Sequence, residues 1–404
     1  MKALALVSIT TFVLFFTSCS SSKYVKYLKK NTEVRLLSDS LHFNSLTKDF
    51  YKNKLFLVGE IHEVETSPRI DLAMFNQINQ HTNVDIYLAE MDIVQGYYLQ
   101  KYLEGSNELS LKEILKNWAV YIGSISEQYR NKWVKMRTYY ESLPDDSKFK
   151  LIGIDKIANF DLVRKILLEK LPVQYHTAIP TDDEELIAWS DSTLSSILAL
   201  NELAVEPNDI SLLKNIQFNL SNYPKIRSRD EFMYTNFKRY YTQNEWNNKT
   251  IYGGFGFAHT LQAYNYTLAG RIKKDSLLPY SNKMVSMNAL YVDSRLTVQS
   301  LVLPKFLQDK GEPFTRFKFS YDNRLFMYIK GIADYKKVTK PNTISLIKLD
   351  AKDSPYSYSA RGTKTKSLIH IWDGFDIIDG TSTTDYAQYI FFVRNADWIK
   401  PDKE

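Results

Sequence analysis

The sequence predicts an α/β protein: a mainly parallel sheet with a cleft at the carboxyl edge of its strands, helical cap insertions and a β-rich C-terminal part. Three observations point there. Four apolar runs each end in a carboxylate or an imidazole, long amphipathic stretches separate those runs, and beyond about Lys274 short strand-like segments alternate with Asp, Pro, Gly and Ser clusters. Runs that are apolar throughout are buried on both faces, as parallel strands are. Open α/β sheets place their sites outside the carboxyl ends of such strands.

The chain begins "MKALALVSITTFVLFFTSCSSSKYVKYLKK", with Lys2, an apolar run from Ala3 to Phe16, and then Thr17-Ser18-Cys19. The run is too short for an ordinary spanning helix and has the layout of a secretory signal. Cys19 is the only cysteine, so no disulfide forms within one chain. A lone cysteine after an export run, preceded by small residues, resembles a bacterial lipobox. That resemblance implies a signal peptide over 1–18, cleavage before Cys19 and acylation there. Residues 19–45 are then expected to be a tether whose lysines suit anionic headgroups. The mature chain has no other long apolar span, so the expected state is a lipid-anchored protein of the bacterial cell envelope, at the periplasmic face of the outer membrane. Residues 46–404 are expected to form a single α/β domain.

Within that domain the first strand, "LFLV" (Leu55–Val58), runs into Gly59, Glu60 and His62, with Glu63 and Glu65 close behind. Ser67 suits a helix N-cap and Pro68 a first helical position, after which Ile70, Ala73, Met74 and Ile78 share a face. The second strand, "VDIYLAEMD", delivers Glu90 and Asp92. A helical insertion is expected over about 95–145. The third strand, "FKLIGID", ends at Asp155, and a second insertion over about 160–245 contains "RSRDEFMYTNFKRYY". That segment places Arg229, Met233, Asn236 and Tyr240 near one helical face. The fourth strand, "KTIYGGFGFAH", leads through glycines to His259. From about 275 onward the pattern is β-rich, as in "FTRFKFSY" and "YAQYIFFVRNA".

Composition excludes several classes. Hydrophobic residues make up 44% of 404, enough for a sizeable core, and only 14 glycines and 12 prolines argue against disorder or collagen-like repeats. A net charge of +6, from scattered Lys and Arg nearly matched by acids, makes no nucleic-acid stripe, so no nucleic-acid partner is expected.

The chemistry sits at the strand ends. Glu60 and His62, two apart on extended chain, share a face, so the carboxylate can set the imidazole's tautomer and raise its basicity. His259 is the second of six histidines to end a buried strand; His42, His81, His176 and His370 fall in helices or loops. "GGFGFAH" lacks the third glycine of a nucleotide fingerprint, and its glycines read as allowing close backbone approach. Asp155 reads as an orienting carboxylate. Arg229 is placed to reach an anionic group or a site carboxylate. There is no H-E-x-x-H pair and no cysteine ligand, and a tightly bound metal is not expected.

The stretch "LFLVGEIHEVETSPRIDLAMFNQI…VDIYLAEMD" resembles the superfamily that joins erythromycin esterases, ChaN-type haem-binding lipoproteins and TraB/Tiki-type proteins. "GEIH" with "LAEM" is closest to the ChaN type. "RDEFMYTNF" is similar to an esterase segment, and "GGFGFAH" to the second glycine–histidine motif of the TraB/Tiki and esterase branches. The likeness spans roughly Leu55 to Gly270, although the esterase motif has one more residue between its glutamate and histidine. It implies a cleft built from Glu60, His62, Glu90 and His259. In the esterase branch a histidine activates water against an ester or lactone without metal. In the Tiki branch the motifs serve metal-dependent peptide cleavage, and in the ChaN branch the fold binds haem. The expectation is therefore a hydrolase of an ester, lactone or peptide. His62, oriented by Glu60, deprotonates water, Glu90 and His259 position substrate or stabilise the oxyanion, and Asp155, Arg229 and Glu65 contact substrate. If a divalent metal is present, Glu60, His62 and His259 are its candidate ligands. The alternative is a lipoprotein that binds haem or another hydrophobic ligand without catalysis.

Overall fold

The apolar runs hydrogen-bond into one sheet whose central strands are buried along their whole length. The computed structural model describes residues 23–106, 108–118, 126–200, 205–325, 327–366 and 376–401. Its strands are β1 (Thr32–Leu36), β2 (Leu55–Glu60), β3 (Ile86–Asp92), β4 (Lys150–Asp155), β5 (Ile251–Gly256), β6 (Met284–Val292), β7 (Ser294–Gln299), β8 (Phe314–Phe319), β9 (Asp322–Asn323), β10 (Met327–Ile329), β11 (Thr343–Lys348), β12 (Thr365–Lys366) and β13 (Tyr389–Arg394). Eight form the main sheet in the order β1-β11-β13-β6-β2-β5-β3-β4. From β13 to β4 neighbours are parallel, while β11 runs antiparallel to both β13 and β1. The β-rich C-terminal part adds a β7–β8 hairpin and a small β12-β10-β9 sheet. One apolar cluster extends from Tyr24 to Ala396.

This order positions the site. Strands β2, β5, β3 and β4 are contiguous and parallel, so their carboxyl ends deliver Glu60, His259, Glu90 and Asp155 side by side. The helices that follow bury their apolar faces on the sheet or on one another. In the Ser67–Thr82 helix, Ile70, Met74 and Ile78 are buried, as the spacing requires. Its first residue is Ser67, one position later than an N-cap; the hydroxyl instead donates to Ile61 O (2.6 Å) and lies 2.7 Å from Tyr291 Oη. The first insertion contains the helices Ile93–Leu103, Leu111–Ile114 and Glu127–Ser142. The second contains six further helical elements and ends in Arg229–Gln243, where Asn236 Nδ2 donates to Ile154 O of β4 at 2.9 Å.

A buried polar cluster ties the first insertion to the sheet. Lys132, on Glu127–Ser142, forms an ion pair with Asp71 of Ser67–Thr82. Tyr87 of β3 and Tyr252 of β5 each donate to that carboxylate at 2.6 Å. All four side chains are buried.

The expected tether over 19–45 is corrected from Lys23 onward. Residues 23–30 are helical with Tyr24, Tyr27 and Leu28 buried, and β1 pairs with β11 over five residues, so this segment completes the sheet. Apolar side chains with cross-strand partners are more stable packed than solvated. Cys19 and the signal-like run lie outside the described residues, as does His370. Among the described residues no helix is long and apolar enough to cross a membrane.

Candidate active site

Glu60 is the last residue of β2, and the chain turns directly after it. His62 Nδ1 lies 2.8 Å from Glu60 Oε1, so the expected pairing is made, but by the turn that carries His62 back over the strand end and not by alternation along extended chain. The opposite ring atom, His62 Nε2, faces Glu90 Oε2 at 3.4 Å. His259 repeats the arrangement from β5: Nδ1 lies 2.8 Å from Asp230 Oδ1, and Nε2 faces Glu90 Oε1 at 3.4 Å. Two imidazoles, each backed by its own carboxylate, thus converge on the two oxygens of one buried glutamate.

Glu90 occupies that centre because β3 is irregular there. Its register against β4 shifts between Ala89 and Asp92, which re-aims the side chains at the strand end. The Gly256 N–H donates to Glu90 Oε2, and Arg229 Nη2 lies 2.7 Å from Oε1. Gly256 keeps the approach close: a Cβ there would crowd His62 Nε2 at 3.3 Å and His259 Cδ2 at 3.4 Å, so both rings would have to give. The close backbone approach expected of "GGFGFAH" is made here to the histidine–glutamate cluster itself. Asp92 does different work. It is buried, its Oδ1 accepts from the Val94 and Gln95 N–H groups, and its Oδ2 accepts from those of Ala158 and Asn159, which caps Ile93–Leu103. Burial outweighs those bonds and raises its pKa to about 6.

Charges in the cluster are strongly coupled. Burial disfavours protonated His62, but Glu90 and then Glu60 outweigh it and hold the imidazolium well above the ordinary histidine range. For His259, burial is likewise overcome by Glu90 and Asp230, and its pKa rises to about 9. Burial works against ionised Glu90 too, yet the two imidazoles hold it well below the usual carboxylate range. Burial keeps Tyr129 a phenol, and the neighbouring Glu60 charge adds to that.

A cleft of about 770 Å³ opens over these groups, lined by His62, Glu90, His259, Asp155 and Arg229 and walled by the aromatic rings of Trp118, Phe160, Tyr223 and Phe257. Of the residues singled out from sequence, Glu60 lies immediately behind His62, and His62, Glu90, His259, Asp155 and Arg229 share the cleft. Asp155 and Arg229 engage each other: Arg229 Nε donates to both Asp155 oxygens at 2.9 and 3.0 Å, and its Nη2 also pairs with that carboxylate. Glu65 does not join them. Its carboxylate accepts from the Asp397 N–H at 3.1 Å, away from the cleft lining, so its placement is structural.

Three contributors escaped the sequence reading. Tyr129 donates to Glu60 Oε1 at 2.6 Å. Trp118 donates from its indole to Glu90 O at 2.6 Å and stands edge-on to His62, with centroids 5.6 Å apart. Asp230 holds His259 and also accepts from the Leu268 N–H at 2.7 Å. Only Asp230 carried a signal, its place beside Arg229 in "RDEF". Tyr129 and Trp118 belong to an insertion whose return path onto the strand ends no spacing encodes.

The donor set does not suit a divalent cation as arranged. Both histidines have the carboxylate-backed Nδ1 common in metal ligands. Glu60, however, is turned to His62 and Tyr129, and the Arg229 guanidinium sits on the carboxylate that would bridge the imidazoles. Among the described residues no group of three or more His, Cys, Asp or Glu is arranged to hold a metal ion.

No family model matches the chain, and no curated protein matches it in sequence. Solved structures do share its architecture. A Bacillus cereus protein superposes with a TM-score of 0.64 at 11% identity, covering 95% of this chain and 99% of that one. A succinoglycan biosynthesis protein gives a TM-score of 0.64 at 13% identity, with 94% and 99% covered. A histidine-to-asparagine mutant of erythromycin esterase EreC, in its open conformation, gives 0.58 at 12% identity, with 92% and 99% covered. At these identities the likeness is one of fold, over nearly the whole chain.

Proposed function

We propose that this chain, which shares the fold of an erythromycin esterase, is a hydrolase that cleaves an ester, lactone or peptide with histidine-activated water and without metal. One observation carries the reading: two imidazoles, each fixed at Nδ1 by its own carboxylate, point their Nε2 atoms into one cleft. Neutral His62 accepts a proton from water at Nε2 while the water oxygen bonds to the acyl carbon. Glu60, held by Tyr129, stabilises the imidazolium so formed. The carbonyl becomes an oxyanion facing protonated His259 and Arg229. Collapse breaks the bond to the leaving group, which departs with the proton from His62, giving acid plus alcohol or amine.

The charge coupling sets the pH dependence. Glu90 and then Glu60 favour protonated His62, so the base is free only as pH rises well above the ordinary histidine range. His259 loses its proton through about 9, which removes an oxyanion donor. Turnover is therefore expected to rise with pH above the ordinary histidine range as His62 gives up its proton, and the His259 contribution is lost through about 9. Glu90→Gln removes a charge that raises both histidines, so both limbs move towards acid. The test is a pH–rate profile on a panel of esters, lactones and peptides, with and without chelator. A maximum in the acid range overturns His62 as base, and loss with chelator restored by manganese, cobalt or zinc overturns the metal-free route. A Soret shift on adding haem, lost in His62→Ala, with no turnover of any substrate, favours a binding protein instead.

We also propose attachment to the cell envelope through acylated Cys19, on the strength of the signal-like run before it. Cys19→Ala is expected to abolish incorporation of labelled fatty acid and to move the protein from the membrane fraction. Unchanged labelling rejects the assignment.

A further inference from the structure

The β7–β8 hairpin ends in a tip, residues 300–313, that is turned inside out. Within seven residues, Leu301 (93% exposed), Val302 (65%), Phe306 (84%) and Leu307 (40%) point into solvent. Several of its polar groups bond within the hairpin. Ser300 N donates to Pro313 O at 2.8 Å, Ser300 Oγ meets Thr315 Oγ1 at 2.9 Å, and Gln308 Nε2 donates to Leu303 O at 2.7 Å. Asp309 accepts from the Arg316 N–H at 2.8 Å, which draws its carboxylate back towards the hairpin. A braced loop that displays its apolar side chains is a built surface, because exposure on this scale is otherwise unfavourable.

The hairpin's root lies at the cleft. β7 begins two residues after β6, at the carboxyl edge of the sheet, and Thr297 N donates to Glu63 O at 3.2 Å. Glu63 lines the cleft. Leu301 follows Thr297 by four residues, a chain length of about 14 Å.

We infer that this tip docks on a lipid surface beside the cleft mouth, and that the substrate is an amphiphile whose ester or amide lies at that surface. The inference rests on the hydrolase reading and on the proposed acyl anchor. Only three residues lie between Cys19 and Lys23, the first described residue, so an acylated Cys19 holds that position within about 14 Å of the bilayer. Leu301, Val302, Phe306 and Leu307 suit the acyl boundary. Lys305 and Lys310, both exposed, bury their stems against it and keep their ammonium groups at the headgroups.

The test uses the acylated chain, whose Cys19 thiol is blocked by its lipid, with Leu301→Cys labelled at the new thiol with an environment-sensitive fluorophore and reconstituted in phosphatidylcholine nanodiscs. The label is expected to shift to the blue and to be quenched by nitroxide lipids, whereas the same label at Leu277, itself 73% exposed, stays water-like. A water-like signal at both positions overturns docking. A blue shift that appears without lipid and grows with protein concentration also overturns it, marking a contact between copies. In activity assays Leu301→Asp/Phe306→Asp is expected to slow a membrane-borne ester by about tenfold or more while leaving a short soluble ester unchanged. Equal loss on both esters overturns the substrate assignment. Inactivity of the parent chain on both rejects the hydrolase reading, and the fluorescence result still decides docking.

Discussion

His62→Asn is expected to lower kcat/KM by about 10²–10⁴-fold, with the loss in kcat rather than KM. Asparagine is smaller, but its amide falls where the ring's Nδ1 lies, so it can keep a hydrogen bond to Glu60 while giving up the ring contact with Trp118. It cannot take a proton from water. Glu90 loses one imidazole partner but keeps His259, Arg229 and the Gly256 N–H, so the cleft stays assembled. Steady-state kinetics beside a thermal melt check the claim. A variant that melts with the parent and turns over at more than about a tenth of its rate rejects His62 as the base. Glu60→Gln is the companion measurement. It leaves a hydrogen-bonding group behind His62 but removes the charge that stabilises the imidazolium, so its loss is expected to be smaller than that of His62→Asn.

The second large effect lies below the site. Lys132→Met leaves the Asp71 carboxyl buried without its cation, a change that costs about 3–5 kcal/mol where a buried pair is broken. The tyrosine hydroxyls of Tyr87 and Tyr252 still donate to the carboxylate, which places the expected loss near the lower bound. Asp71→Asn in the same chain removes the stranded charge and is expected to recover a large part of the loss. Urea unfolding of the two single variants and the double variant measures the coupling. If Lys132→Met unfolds at the parent midpoint, the pair does not hold the Glu127–Ser142 helix in place. Tyr129 sits three residues before Lys132 on that helix, so the same variant is expected to loosen the hydroxyl bonded to Glu60.

Much of the site was legible because strands write their geometry into the sequence. An unbroken apolar run that stops at a charged residue marks both a buried strand and the edge where it emerges. Glu60, Glu90, Asp155 and His259 were found that way. Glu60 and His62 were also expected to meet, and they do, although His62 lies in the turn after β2, so the turn and not alternation brings them together. Glu65 shows the limit of that reading: beyond the strand end the chain turns, alternation lapses, and its carboxylate is directed to the Asp397 amide. Tyr129, Trp118 and Lys132 were illegible for another reason. In a helical sequence, a buried polar side chain that meets a strand end far along the chain looks like any amphipathic residue. The N-terminal segment misled by composition, since lysines hide the buried stripe of Tyr24, Tyr27 and Leu28.

The position of β5 has a consequence for biosynthesis. β2 and β3, the first two strands of the cleft edge to be made, do not touch as sheet neighbours; β5 lies between them. More than 150 residues separate the end of β3 at Asp92 from the start of β5 at Ile251, which at roughly 5–20 residues per second takes a ribosome about 8–32 s. Throughout that interval the facing edges of β2 and β3 have no partner, and a nascent chain cannot close its sheet early. Under the export proposed above, a chain that crosses a membrane unfolded would be kept from its native state by its own strand order. The same delay exposes two apolar strand edges to proteases and to mispairing, so the interval before β5 arrives is when this chain most needs a chaperone.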